Sequence, residues 1–142
     1  MAAQFADGGI RFCYPENWKL EREENDAGWT VSLQSPNTAF VMVCFRDDNA
    51  TPEEMALAAL EALREEYPEL ESEQTVGSVA GRPATGYDVR FFSLDLSNTC
   101  FLRSFYTSDG TILLLWQATD LELEKIEPVL RAICKSMVVE ED

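Results

Sequence analysis

Residues 99–119, TCFLRSFYTSDGTILLLWQAT, are the stretch that decides the fold, because two apolar runs flank Asp109 and Gly110. An Asp-Gly pair between alternating runs favours a primed two-residue turn, since both of its central positions need a positive φ. Such a turn predicts a β-hairpin in which Arg103 lies opposite Trp116. Both faces of the hairpin carry large apolar side chains, so we expect it in the middle of a sheet that is covered on each side.

The length and composition predict one globular domain over residues 1–142, with an acidic, frayed tail at 138–142. The chain is 46% hydrophobic and 26% charged, which is ordinary for a soluble protein. No apolar run approaches the ~20 residues of a membrane-spanning helix, and the opening MAAQFADGG lacks the features of a signal peptide. We therefore expect a cytoplasmic protein without a membrane span.

The net charge of −15 restricts the class of partner. It arises from 26 acidic and 11 basic residues, so nucleic-acid phosphates and anionic lipids would be repelled at long range. We expect a protein or peptide partner with an apolar or basic segment, and no nucleic acid.

The histidine and cysteine contents limit the kinds of catalytic and metal-binding site that the chain can form. The chain has no histidine, which excludes nucleophiles activated by imidazole and the usual histidine-containing zinc and iron sites. The cysteines show no CxxC spacing and lie in apolar segments, which predicts buried free thiols, with disulfides as the alternative. These cysteines are Cys13, Cys44, Cys100 and Cys134. No cofactor, metal ligand or catalytic residue is predicted.

Alternating and apolar segments predict further strands on both sides of the hairpin. In one of them Trp29, Val31 and Leu33 point one way and leave a wet face on the other. Residues 39–46 (AFVMVCFR) are apolar almost throughout, so we expect that strand deeper in the sheet. The other strands are predicted at residues 10–14 and 18–21, and, as an antiparallel meander leading into the hairpin, at 73–80 and 83–94.

Two main helices are predicted, over residues of about 52–67 and 121–137. Thr51, Pro52 and Glu54 have the spacing of an N-cap, a first helical residue and a capping-box glutamate. The second helix is predicted to be capped by Asp120. Pro128 falls on the solvent side of that helix, opposite its apolar stripe, where it leaves the packing surface unbroken.

The order of these elements, together with several short motifs, resembles PsbP-like proteins. The segment from Gly9 to Pro15 (GIRFCYP), followed by Trp18, resembles the G-x-x-F-x-Y-P-x-x-W opening of that superfamily. The remaining motifs fit the same layout over nearly the whole chain: Ser35-Pro36, Gly81-Arg82-Pro83-Ala84, and Ile133 with Ser136.

The resemblance implies an α+β fold, an α/β/α sandwich with a mostly antiparallel sheet of about six or seven strands and one helix layer on each side. The superfamily includes a photosystem II extrinsic subunit, a fungal Mog-type Ran-binding import factor and bacterial adaptor chaperones that load secretion effectors. None of these is an enzyme of established chemistry, so no catalytic residue carries over. The opening of the sequence shows no signal or lipoprotein segment, so we expect this chain to lie outside the secreted branch.

The hairpin supplies the candidate binding residues. Arg103 and Trp116 suggest either a cation-π contact within the sheet or a guanidinium presented to an acidic or aromatic ligand. On the other face, polar side chains beside leucines suggest either a groove for a peptide or small ligand, or ordinary core with satisfied polar groups. The residues of that face are Leu102, Ser104, Tyr106 and Gln117, with Thr119 at its end.

Three functional hypotheses follow from these patterns. The leading one is a non-enzymatic domain that binds a protein or peptide, as an adaptor or chaperone. The second is a carrier or sensor of a small apolar ligand, held in a pocket between the sheet and a helix. The third is a hydrolase or lyase that uses carboxylates and Tyr106. The acidic cluster at residues 47–54 lacks the ligand spacing of a calcium loop and is interpreted as a turn with a helix cap.

Overall fold

A computed structural model describes residues 2–140 of the chain. The first half contains β1 (Ala2–Asp7), β2 (Ile10–Pro15), β3 (Lys19–Asn25), β4 (Gly28–Gln34), β5 (Phe40–Arg46) and α1 (Pro52–Glu66). The second half contains β6 (Glu71–Val79), β7 (Arg82–Ser93), β8 (Leu96–Tyr106), β9 (Thr111–Thr119), α2 (Asp120–Ser136) and β10 (Val138–Val139).

Seven strands form the central sheet in the order β3-β4-β5-β9-β8-β7-β6, and every neighbouring pair is antiparallel. Helix α1 packs on one side of this sheet. Helix α2 and a three-stranded sheet, in the order β1-β2-β10, cover the other side. The predicted α+β sandwich is therefore confirmed, with the small sheet as an addition to it. Among residues 2–140, no helix is both long and apolar enough to cross a membrane.

The start of α1 has the predicted N-cap residue. Thr51 has an extended backbone, and its hydroxyl oxygen accepts a hydrogen bond from the Glu54 backbone N–H at 3.1 Å. The Thr51 hydroxyl in turn donates to Oε1 of Glu54 at 3.0 Å, so the glutamate contacts the side chain of the cap residue and not its backbone N–H, which a capping box would use. Met55, Ala56 and Leu60 are apolar residues at helical spacing, and they are buried against the sheet. Sequence alone was sufficient for this helix because its signals are local.

The turn of the β8–β9 hairpin differs from the predicted one. Its central residues are Ser108 and Asp109, neither of which has a positive φ, and the Thr107 hydroxyl oxygen accepts from the backbone N–H groups of Asp109 and Gly110. Gly110 is required for space, because a Cβ there would lie 2.3 Å from the carbonyl oxygen of Arg46.

The register is shifted accordingly. Arg103 lies opposite Leu114, and Trp116 lies opposite Phe101, so the predicted Arg103–Trp116 pairing is wrong. Because the shift is by an even number of residues, every side chain stays on its predicted face. The predicted central position of the hairpin is confirmed, since β9 lies between β5 and β8, and β8 lies between β9 and β7.

The two ends of the described chain meet in the small sheet. Val138 and Val139 pair with Arg11 and Ile10, and the Glu140 backbone N–H donates to the Gly9 carbonyl oxygen at 2.8 Å. The predicted frayed tail is therefore wrong for residues 138–140, while residues 141–142 lie outside the described part.

Asp120 is not the cap of α2. Thr119 occupies the N-cap position, and the Asp120 carboxylate instead accepts hydrogen bonds from the Thr99 hydroxyl at 2.7 Å and from Arg90 Nη2 at 2.9 Å. Its hydrogen bonds to Ser97, Thr99 and Arg90 lower the pKa of Asp120, although desolvation by burial acts in the opposite direction and is the largest contribution. The exposed position of Pro128 inside α2 is as predicted.

All four cysteines are free thiols, as predicted. Cys100 is buried, and Cys44 and Cys134 are half-buried, but Cys13 is exposed. The prediction of burial is wrong for Cys13 because Ile10 and Phe12 are the residues of β2 that point into the core.

Candidate functional site

Half of the central sheet is left open on the side where α1 packs. Helix α1 lies over β7, β8 and β9 rather than over β4 and β5. The side chains of β4 and β5 that point to this side are only half-buried, and we refer to them together as the open shelf: Thr30, Ser32, Phe40, Met42 and Cys44. Phe40 and Met42 pack against the cluster that α1 forms with β7, β8 and β9, and they stay partly exposed at its margin. A partly exposed sheet face with large apolar side chains is the feature of this chain that most suggests a binding surface.

The strand registers bring these residues together. Cys44 lies opposite Thr30, and Met42 lies opposite Ser32, on neighbouring strands. The Thr30 hydroxyl donates to Sγ of Cys44 at 3.5 Å. The alternate residues of the same strands, such as Val31 and Val43, are fully buried against the other layer. Strand alternation therefore fixes which side chains form the shelf.

A cleft of about 620 Å³ lies where the shelf meets α1. Its walls are the β3–β4 turn at residues 25–27 and the helix residues Met55, Ala58 and Ala59, and Thr30 and Cys44 also line it. The short alanine side chains leave the space between the helix and the sheet unfilled. A large apolar side chain or a small ligand would fit there.

Acidic side chains border the shelf. Glu21 and Glu23 of β3 lie opposite Ser32 and Thr30, so they stand on the shelf side of the edge strand, and both are exposed. Asp26 lines the cleft together with Arg46, which is paired with Asp48, and Glu21 forms an ion pair with Lys19. The carboxylates outnumber the cations in this set. This arrangement favours a basic or neutral occupant over an acidic one.

Burial affects the thiol in the shelf. Desolvation raises the pKa of Cys44, and the hydrogen bond from Thr30 opposes that shift only in part. The thiol is therefore neutral at physiological pH and contributes apolar surface rather than a nucleophile.

The sequence-predicted site residues do not form one site. Leu102 and Ser104 are fully buried on the α1 side, where the Ser104 hydroxyl donates to the carbonyl oxygen of Ile112 at 2.7 Å. Tyr106, on the same side, is exposed at the end of β8. Gln117 is half-buried opposite Phe40, which places it at the border of the open shelf.

Arg103 lies on the other side of the sheet, with Trp116. The Arg103 guanidinium carbon is 3.9 Å from the ring centroid of Phe101, and Nη2 is 2.9 Å from the Asp88 carboxylate. Nη1 donates to the Leu102 carbonyl oxygen at 2.8 Å. Phe101 is in turn stacked on Trp116, with 5.2 Å between centroids. The cation-π contact thus exists with a different ring, and it holds Arg103 in a structural role.

Sequence reasoning missed the open shelf. It identified the wet face of β4, but the apolar run of β5 suggested cover on both sides. The signal that could have located the shelf is that β4 and β5 are neighbours in the sheet. Because one face of β4 is exposed to solvent, the same face of β5 lies at the margin of the helix layer.

The acidic cluster after β5 is engaged in local contacts. Asp48 forms an ion pair with Arg46, and this hydrogen bond lowers the pKa of Asp48. Glu54 accepts a hydrogen bond from the Thr51 hydroxyl at the start of α1. Within residues 2–140, no group of three or more carboxylate or thiol side chains is arranged to hold a metal ion.

Neither a protein-family model nor a curated protein matches the chain. Solved structures do. Cyanobacterial PsbP from Synechocystis sp. PCC 6803 superposes with a TM-score of 0.58 at 10% identity, over 97% of this chain and 92% of that one. The chain has the PsbP-like fold. This confirms the fold that the sequence motifs suggested.

Two further structures share the PsbP-like fold with this chain. LpqN of Mycobacterium tuberculosis, described as involved in cell envelope biogenesis, gives a TM-score of 0.62 at 13% identity, covering 99% of this chain and 92% of LpqN. PA94 of Pseudomonas aeruginosa, a protein of unknown function described as a putative regulator, gives 0.57 at 10% identity and 99% coverage of both chains. Identities this low establish the PsbP-like fold and leave function to the site itself.

Proposed function

We propose that this protein is a non-enzymatic binding domain, acting as an adaptor or chaperone, and that its open shelf holds an apolar helix with basic flanks from another protein. The observation that carries the proposal is the side of β4 and β5 that α1 does not overlie, where Phe40, Met42 and Cys44 are only partly buried at the margin of the helix. A bound helix would lie next to α1 and complete the helix layer over the sheet.

The hydrogen bonding of the shelf supports a helix rather than an extended peptide. β4 is paired with β3 and β5, and β5 is paired with β4 and β9, so neither strand has a free edge. A chain that lies on this face must satisfy its own backbone hydrogen bonds. An amphipathic helix does so and offers an apolar stripe to the shelf.

The charge of the protein supports a basic partner. The exposed carboxylates of Glu21 and Glu23 border the shelf, and the chain carries a net charge of −15. Lysine or arginine residues flanking an apolar stripe would meet these carboxylates as the stripe covers Met42. Such an interaction should weaken as salt increases.

A fluorescein-labelled amphipathic peptide of leucine and lysine, about 15 residues long so that it can form a helix, tests this proposal. Fluorescence anisotropy should show binding to the wild-type protein, and Met42→Glu should weaken it at least tenfold because a carboxylate then lies beneath the apolar stripe. Leu121→Glu is the matched control, since Leu121 is an exposed leucine at the start of α2 on the other side of the sheet.

Two results would contradict the shelf as the binding surface. One is equal affinity of the wild-type protein and Met42→Glu for the helical peptide. The other is equal affinity of the wild-type protein for a peptide of the same composition whose leucines do not follow the helical period.

A small apolar ligand is the second candidate occupant, and the cleft of about 620 Å³ beside Ala58 and Ala59 favours it. Ala58→Phe should fill this cleft. If the protein is a carrier, the variant should lose binding of an uncharged naphthylamine dye, whereas Met42→Glu should retain it. If the shelf instead receives a helix, Met42→Glu should weaken peptide binding, whereas Ala58→Phe should retain it.

A cytoplasmic location is part of the proposal. Four free thiols are typical of proteins from a reducing compartment, where disulfides do not persist. Fractionation of the source cells should recover the protein with the cytoplasm, and recovery from another compartment would contradict this part.

A further inference from the structure

The two edges of the central sheet differ in how they are protected. At one edge, β3 has the sequence KLEREEN, with five charged residues among its seven, a common protection against pairing with another chain. At the other edge, β6 has the sequence ESEQTVGSV, nine residues long, with only Glu71 and Glu73 charged and no proline or lysine. Val76 of this strand is 78% exposed. β6 therefore offers a long edge without the usual protection.

We propose that β6 pairs with β6 of a second copy of this chain, antiparallel and around a two-fold axis at Thr75. The two seven-stranded sheets would then continue into each other as one sheet of fourteen strands. This surface is separate from the open shelf, because β6 and β4 lie in opposite halves of the sheet. The proposal does not depend on the proposed function.

The sequence of β6 fits this register. With the axis at Thr75, Glu73 faces Gly77 and Glu71 faces Val79, so no glutamate faces another glutamate. Thr75 faces its own copy, which is a favourable cross-strand pair. An axis at Thr75 also uses all nine residues of the strand, whereas an axis at any other residue leaves some of them unpaired.

We assign this edge to a second copy of the chain because the facing residues of the two β6 strands are compatible on both sides of the sheet. In an antiparallel pair about Thr75, residues of equal parity face each other, so the α1 side of one copy continues into the α1 side of the other. Val76 would lie beside Gln74 of the other copy. The charge of −15 on each copy opposes association, so dimerisation should strengthen as salt increases, opposite to binding of a basic helix in the shelf.

Disulfide trapping tests the register. In a Cys13→Ser background, which removes the exposed native thiol, Thr75→Cys should form an interchain disulfide under mild oxidation. Facing residues in an antiparallel pair have Cα atoms about 4.5–5.5 Å apart, which is within the range for a disulfide. Val76→Cys is the matched control and should crosslink at least tenfold more slowly, because it faces Gln74.

Sedimentation of the full chain provides the second measurement. The wild-type protein should shift toward the dimer in about 0.5 M NaCl, where the Debye length is about 4 Å. Thr75→Lys should remain monomeric, because it places two ammonium groups face to face, and circular dichroism checks that it folds. A wild-type protein that stays monomeric at high salt, or a Val76→Cys variant that crosslinks as fast as Thr75→Cys, would overturn the proposal.

Discussion

Leu94 stands at the tip of the β7–β8 hairpin with a φ of 52° and is 93% exposed. Asp95 follows with a φ of 64°, so the two residues form a primed turn. Leucine in the left-handed region costs about 1–2 kcal/mol, whereas asparagine tolerates it. We expect Leu94→Asn to raise the free energy of unfolding by about 1 kcal/mol, as measured by urea denaturation.

The control for this prediction is Leu96→Asn in the same hairpin. Leu96 is less exposed than Leu94 and has no positive φ, so its substitution should give no gain in stability. Equal stabilisation by both substitutions would show that loss of an apolar side chain, rather than relief of backbone strain, is responsible.

Cys100 links burial to alkaline stability. Desolvation raises the pKa of this thiol from 9.0 to about 12. The neutral thiol is thus favoured by the folded state, so its contribution is complete below pH 9 and is lost as pH rises through about 12. The free energy of unfolding should fall above pH 9, and this fall should be shallower in Cys100→Ala.

At the scale of single elements, Gly110 ties the β8–β9 hairpin to β5. A Cβ at this position would lie 2.3 Å from the backbone carbonyl oxygen of Arg46, and two strands would have to separate to admit it. We expect Gly110→Ala to lower the free energy of unfolding by about 2 kcal/mol or more, from chemical denaturation. Gly77→Ala is the control, because a Cβ there meets nothing within 4 Å, and it should change stability little.

The elements that sequence predicted well are those with local signals. Helix α1 has its cap, its proline and its apolar stripe within one segment, and β7 alternates between buried and more exposed residues. The β8–β9 register was predicted wrongly because Asp109-Gly110 matches a primed turn. The hydroxyl of Thr107, which holds a different turn, gives no such signature in the sequence.

Other features depend on pairings between distant parts of the chain. β10 is two residues long and forms only because β2 offers it an edge, so its own sequence could not predict it. The open shelf depends on where α1 rests. Periodicity identifies the buried stripe of a helix, but it does not say which strands that stripe covers. The candidate binding residues were therefore placed on the hairpin, most of which is covered.

At the scale of the whole molecule, the charge of −15 is distributed over a chain of 142 residues. Repulsion among these charges destabilises the compact state, and salt screens it. The melting temperature should therefore rise by a few degrees between about 20 and 200 mM NaCl, where the Debye length falls from roughly 20 to 7 Å. Differential scanning calorimetry at both salt concentrations measures the effect.

Substitutions that change the net charge test whether charge repulsion causes the salt dependence of the melting temperature. Glu23→Gln and Glu65→Gln, both at exposed positions, should together reduce the dependence on salt, whereas Lys125→Gln should increase it. A salt effect that stays the same in the double variant and in Lys125→Gln would point to ion-specific effects instead of screening.

The two proposed surfaces lie toward opposite edges of the central sheet. The open shelf lies toward the β3 edge, which is charged, and the proposed dimer strand is the opposite edge. A dimer through β6 would place the two shelves at the outer ends of one continuous sheet. Two basic helices could then be held at once, so binding in the shelf should not prevent dimerisation.

The pairing of β2 with β10 has a consequence for how the protein is made. The ribosome produces Arg11 long before Val138, yet the two residues are neighbours in the small sheet. Until translation reaches α2 and β10, the inner face of β2, with Ile10 and Phe12, lacks part of its cover. The apolar face of β2 is therefore fully covered only after α2 and β10 have been translated.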